Sequence, residues 1–157
     1  MPESGLGAGI RKGRSLRERI GSHARGKAVP GRTLDEHCHS LTEVTGAHPV
    51  LDHIVPRAAG GATEFENLCL CCHACNEFKG AQVESPDPVT GQVVPLFHPR
   101  RQRWNDHFRW SVDGTKIVGI TPVGRATERA LNMNHPLIVE ARRRWVAVGW
   151  HPAAEDL

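Results

Sequence analysis

No apolar run in the sequence approaches the ~20 residues that a bilayer-spanning helix requires, which excludes an anchor of that kind and any membrane partner built on it. The positively charged N-terminus has no apolar segment behind it, so a secretory signal is not expected and the protein is placed in the cytoplasm. No internal repeat is visible. An even set of cysteines is also missing. There are five (Cys38, Cys69, Cys71, Cys72 and Cys75), four of them crowded into seven positions where neighbours cannot easily pair. A reducing compartment would keep such thiols free, and with ten histidines in the chain they read as metal ligands rather than as a disulfide framework. At 157 residues, 39% hydrophobic and 24% charged, the chain suits one domain with a modest core, or a compact motif carrying an extension.

The net charge of +3 conceals an asymmetry. Residues 1–32 hold eight basic side chains (Arg11, Lys12, Arg14, Arg17, Arg19, Arg25, Lys27 and Arg32) against Glu3 and Glu18, which makes the segment +6 and leaves −3 for the remainder. This arm is rich in Gly, Arg and Ser and lacks apolar periodicity, so it reads as mostly disordered with one short helix near Ser15–Ile20. It serves either as a phosphate-binding tail, since each neutralised phosphate releases counterions, or as a solvated leader.

Order is expected from about Thr33. Pro49 to Val55 is a short apolar run interrupted by Asp52-His53 and closed by Pro56, which reads as a strand. Gly60-Gly61 marks a loop, and Asn67 to Cys71 alternates with period two as a returning strand. Cys72 to Lys79 reads as a helix stopped by Gly80. The segment 84–100, with Pro86, Pro88, Gly91, Pro95 and Pro99, reads as a surface connector. A hairpin follows, with strands His107–Ser111 and Lys116–Ile120 turning at Asp113-Gly114, then a helix from Pro122 to about Asn132 and another from Pro136 to about Val148.

Three side chains in this pattern suggest hydrolysis. An Asp52 carboxylate and an Asn76 carbonyl are hard oxygen ligands suited to Mg²⁺ or Mn²⁺, which keeps waters and completes its shell from phosphate. Neutral His53 beside them can deprotonate a water for in-line attack. Successive strand residues point to opposite faces, so bringing Asp52 and His53 to one cleft requires a bend at the strand end. The C-x-x-C knuckle Cys72-His73-Ala74-Cys75, with Cys38 as a third thiolate, suits tetrahedral Zn²⁺ that clips a motif too small to bury enough apolar surface. Cys69 and Cys71 read as buried apolar thiols.

The run Asp52-His53-Ile54-Val55-Pro56-Arg57, then Gly60-Gly61-Ala62-Thr63, Glu66-Asn67-Leu68 and Cys72-x-x-Cys75-Asn76-x-x-Lys79-Gly80 resembles the HNH endonuclease family, whose fold is the ββα-metal finger. The resemblance implies Asp52 and Asn76 as ligands of the catalytic metal, His53 as general base and Asn67 as support of the inter-strand loop. Residues 90–127 are similar to the tail of a small bacterial HNH subgroup. That subgroup has a first C-x-x-C whose second cysteine matches Cys38, but whose first falls on Asp35. The fourth zinc ligand is then Asp35, with His37 and His39 as alternatives. Arg57 and Lys79 flank the cleft and are phosphate candidates. His98 and His107 read as structural, the four tryptophans as cover for apolar surface, and Arg142-Arg143-Arg144 as an exposed helix face.

The expectation is therefore an α+β chain in three parts: a basic arm over 1–32, a zinc-clipped ββα finger over 33–82, and a hairpin-plus-helices extension over 83–157. Its expected activity is metal-dependent hydrolysis of DNA phosphodiesters. A non-catalytic zinc module that binds nucleic acid would explain the cysteines and the arm but not Asp52, His53 and Asn76 together. A zinc finger for protein contacts is the third reading.

Overall fold

The computed structural model describes residues 15–16, 18–20, 34–153 and 156. Most of the basic arm lies outside them. Its described part, Leu16 and residues 18–20, is helical, and Ile20 is buried against Leu68 and Leu70. That short helix is packed on the body, not merely nascent.

Among the described residues the architecture is mixed: short helices and three separate two-stranded antiparallel sheets, consistent with α+β. After the helical turn α1 (Thr42–Thr45), strand β1 (Val50–His53) pairs with β2 (Leu68–Cys71), so that Asp52 faces Cys69 and His53 faces Leu68 across the ladder. The period of two gives this hairpin two unlike faces. Leu51, Leu68 and Leu70 pack with Leu16, Ile20 and Phe65 on one side. Asp52, Cys69 and Cys71 share the other, against helix α2 (His73–Lys79). Cys72 caps that helix, its sulfur accepting the Cys75 N–H, and Gly80 ends it.

The connector expected over 84–100 is instead a hairpin. Strands β3 (Glu84–Pro86) and β4 (Val93–Pro95) pair, and each proline stands at a strand end where a missing donor costs little. Its turn is organised by buried Asp87, which accepts from the Thr90 hydroxyl at 2.8 Å and takes a bidentate pair from Arg125, with both contacts at 2.8 Å. Leu96 and Phe97 then enter the main core with Trp104, Phe108, Ile117, Leu131 and Met133.

Helix α3 (Trp104–His107) was not foreseen. It leads into the expected hairpin, β5 (Phe108–Trp110) and β6 (Ile117–Gly119). Helix α4 (Pro122–Ala130) opens on Thr121, whose hydroxyl accepts the Gly124 N–H at 3.0 Å, and α5 (Pro136–Ala147) follows it. Two readings of the tail need correction. Arg142 is fully buried rather than part of an exposed face, because α5 turns it into the core beneath Trp110; only Arg143 and Arg144 stay outside, paired with Glu140. Trp150 covers little, being 57% exposed. No helix among the described residues is long and apolar enough to cross a membrane.

Candidate active site and metal centre

Two tight turns, one before β1 and one after β2, are built alike. In the second, the Cys72 sulfur gathers the Cys75 N–H at 3.4 Å. In the first, Asp35 does the same work with oxygen: Oδ1 accepts the N–H of His37 at 2.7 Å and of Cys38 at 2.5 Å. Its Oδ2 accepts the N–H of Cys72 and so ties the turns together. The ligand atoms of Asp35, Cys38, Cys72 and Cys75 lie within 4.8 Å of one another. The Cys38 and Cys72 sulfurs are 4.0 Å apart, close to the roughly 3.8 Å that two 2.3 Å bonds impose at a tetrahedral zinc. His37 and His39, the alternatives for the fourth position, turn elsewhere. His37 Nε2 meets the Cys69 sulfur at 3.4 Å, while His39 stacks on Trp104 and contacts Asp156 through Nδ1 at 2.9 Å.

The electrostatics of the four groups favour a cation. Hydrogen bonds from the Cys72 and Cys75 thiols hold the Cys38 pKa well below the ordinary thiol value, and the same bonds push Cys72 and Cys75 up. Burial, then the Cys38 charge, raises Asp35 to about 7. One anion is accommodated and the others resist it, which is the condition a dication relieves. The residues therefore fit zinc.

Sequence reasoning missed Arg142. Its guanidinium is fully buried and makes no salt bridge among the described residues. Nη1 donates to Met133 O at 2.9 Å and Nε has no partner. Burial lowers its pKa, opposed by the charges of Cys38, Cys75 and Asp35. A buried cation without a carboxylate needs an anion nearby, and three thiolates and a carboxylate around Zn²⁺ would leave a net charge of −2. No local signal in the Arg142-Arg143-Arg144 run distinguishes the buried member.

At the end of β1, the side chains of Asp52 and His53 leave on opposite faces, and the chain bends at residues 54–55. Asp52 turns to α2, where Lys79 Nζ lies 2.9 Å from Oδ2 without hydrogen-bond alignment and donates to His53 O at 2.8 Å. Lys79, expected to contact phosphate, is buried and committed to Asp52. An amphipathic stem lets it lie along the hairpin with its charge on the carboxylate, which corrects that expectation. Asn76 is half-buried one turn before Lys79, on the same face of α2. The His53 ring turns away to Thr63, with Nε2 at 2.8 Å from the hydroxyl. Among the described residues, no hydrogen bond joins that ring to Asp52 or Asn76.

Asn67 clamps the loop between the strands. Its Oδ1 accepts the Val55 N–H at 2.8 Å, and Nδ2 donates to Val55 O at 2.9 Å and Ala62 O at 2.8 Å. Gly61 permits the closure, since a Cβ there would fall 1.8 Å from Val55 O. Arg57 stands exposed on the turn that follows. His107 is structural, its Nδ1 at 2.7 Å from Thr121 Oγ1.

Comparison with protein families matches residues 38–86 to the HNH endonuclease model. That stretch is similar to the HNH family. The HNH region contains Cys38, β1, the clamped loop, β2, α2 and the knuckle, and it ends as β3 ends. Asp35 lies outside it, as does the tail likened to the bacterial subgroup. No curated protein and no solved structure matches the chain.

Proposed function

We propose that the chain is a metal-dependent endonuclease that hydrolyses DNA phosphodiester bonds, with His53 as general base beside Mg²⁺ or Mn²⁺ held by Asp52 and Asn76. The observation that carries this is the HNH match over residues 38–86, which encloses Asp52, His53, Asn67 and Asn76 in one continuous stretch. Zn²⁺ on Asp35, Cys38, Cys72 and Cys75 would be structural, with Arg142 offsetting its excess negative charge.

Bound there, a divalent cation supplies charge stabilisation at the phosphorus oxygens and the leaving 3′ oxygen. The protein's own groups do the rest. Asp52 Oδ2 is buried with the Lys79 ammonium 2.9 Å away, so a cation held by Asp52 would share the carboxylate with Lys79. For His53 to accept a proton at Nδ1, Nε2 must carry one, and the Thr63 hydroxyl 2.8 Å away can accept it in that tautomer. Asn67 fixes Val55 and the loop that presents Thr63. Arg57 and the basic arm are suited to backbone phosphates, which fix register without reading sequence.

Incubating supercoiled plasmid with protein and Mg²⁺, with and without EDTA, tests the reading. Nicked or linear product that EDTA abolishes supports it. DNA binding without cleavage under any divalent ion would favour the non-catalytic nucleic-acid module instead.

A further inference from the structure

Behind β1 lies a second group of potential ligands, of which the nuclease reading uses only Asp52. Cys69 pairs with Asp52 across the β1–β2 ladder, so the two side chains share the face toward α2. His37 reaches the same spot from the Asp35 turn. One ligand atom from each of His37, Asp52 and Cys69 lies within 4.8 Å of the others, and His37 and Cys69 are both buried. The Nε2–Sγ separation is 3.4 Å; two bonds of about 2.05 and 2.3 Å at a tetrahedral ion require roughly 3.6 Å, so a few tenths of an ångström would admit one.

We infer that His37, Cys69 and Asp52 form a second site for a thiophilic divalent cation such as Zn²⁺, which takes Asp52 from the catalytic ion and thereby inhibits cleavage. The inhibitory half of this rests on the nuclease reading; the metal site does not. A thiolate and an imidazole discriminate against Mg²⁺, whose preference is for oxygen. Three protein ligands leave a fourth position for water, as in an open zinc site. Two features make it weaker than the four-ligand site: His37 Nδ1 has no partner to orient the ring, and the Lys79 ammonium stands 2.9 Å from Asp52 Oδ2. Weak, reversible occupancy suits a sensor of free metal better than a structural staple.

The test titrates the full chain, purified with its tightly held zinc, with Zn²⁺, and repeats the titration with Co²⁺ to read sulfur-to-metal charge-transfer bands. Wild type should take up a second, weaker equivalent. Cys69→Val and, independently, His37→Phe should lose that equivalent while keeping the first, which also reports that each variant is folded. Zinc inhibition of Mg²⁺-supported plasmid cleavage should weaken at least tenfold in both. A single equivalent in wild type, or a second one retained by both variants, overturns the site. A second equivalent that leaves cleavage unaffected overturns the sharing of Asp52. If the protein cuts no DNA but the second equivalent appears and vanishes as stated, the metal site stands and the nuclease reading falls.

Discussion

One nitrogen of the His53 ring is tied to the Thr63 hydroxyl and the other is left to act, so the proposed base depends on a loop residue ten positions away. His53→Ala should keep metal and DNA binding and lose about 10²–10⁴ in cleavage rate, the usual worth of a positioned base. Cleavage at the wild-type rate would remove His53 from the mechanism. Thr63→Val should slow turnover by about tenfold or more, as loss of an outer partner to a functional imidazole does, and Thr63→Ser should restore it. A uniform loss in both variants would mean that Thr63 is only a packing residue. Lys79 teaches a related lesson. Its position beside the cleft suggested a phosphate contact, but its charge is spent on Asp52.

The loop between β1 and β2 is held by one side chain, Asn67, whose three hydrogen bonds span Val55 and Ala62. Gly61→Ala should therefore damage the element directly, since the added Cβ would meet Val55 O. A fall in Tm of at least about 5 °C is expected from strain of a few kcal/mol in a chain of this size, read by calorimetry. An unchanged Tm would mean the loop has room that the clamp geometry denies. The two metal-gathering turns form a second such unit. Asp35→Ala should reduce bound zinc by elemental analysis, and Arg142→Met should release it to a competing chelator at least tenfold more readily if the guanidinium offsets the site's negative charge.

Across the whole molecule, the charges of Cys38, Cys75 and Asp35 act on the buried Arg142 of α5, so finger and extension should respond together when zinc is stripped. Acid should expose a different seam. Burial, and secondarily Arg142, lower the His151 pKa from 6.5 to about 4 where its ring stands edge-on to Trp110. The unfolded chain therefore binds the extra proton first. Stability from this group is full above about pH 6.5 and is lost as pH falls toward 4. Denaturant midpoints followed by tryptophan fluorescence should show that loss in wild type and a shallower one in His151→Gln; parallel curves would place the acid sensitivity elsewhere.

Local chemistry was enough to settle much of this in advance. The apolar run closed by Pro56, Gly60-Gly61, the period-two alternation of 67–71 and the stop at Gly80 defined β1, β2 and α2, because each depends on residues a few positions apart. The HNH pattern was legible for the same reason: its letters lie in one short stretch. The β3–β4 hairpin was hidden because its prolines look like punctuation until Asp87 meets Arg125, thirty-eight residues away. Only tertiary contact decided that Asp35, rather than His37 or His39, faces the three cysteines, that Lys79 turns inward, and that Arg142 alone of three arginines is buried. Each is a choice among neighbours of equal chemical competence, and what selects among them is the position of groups far along the chain.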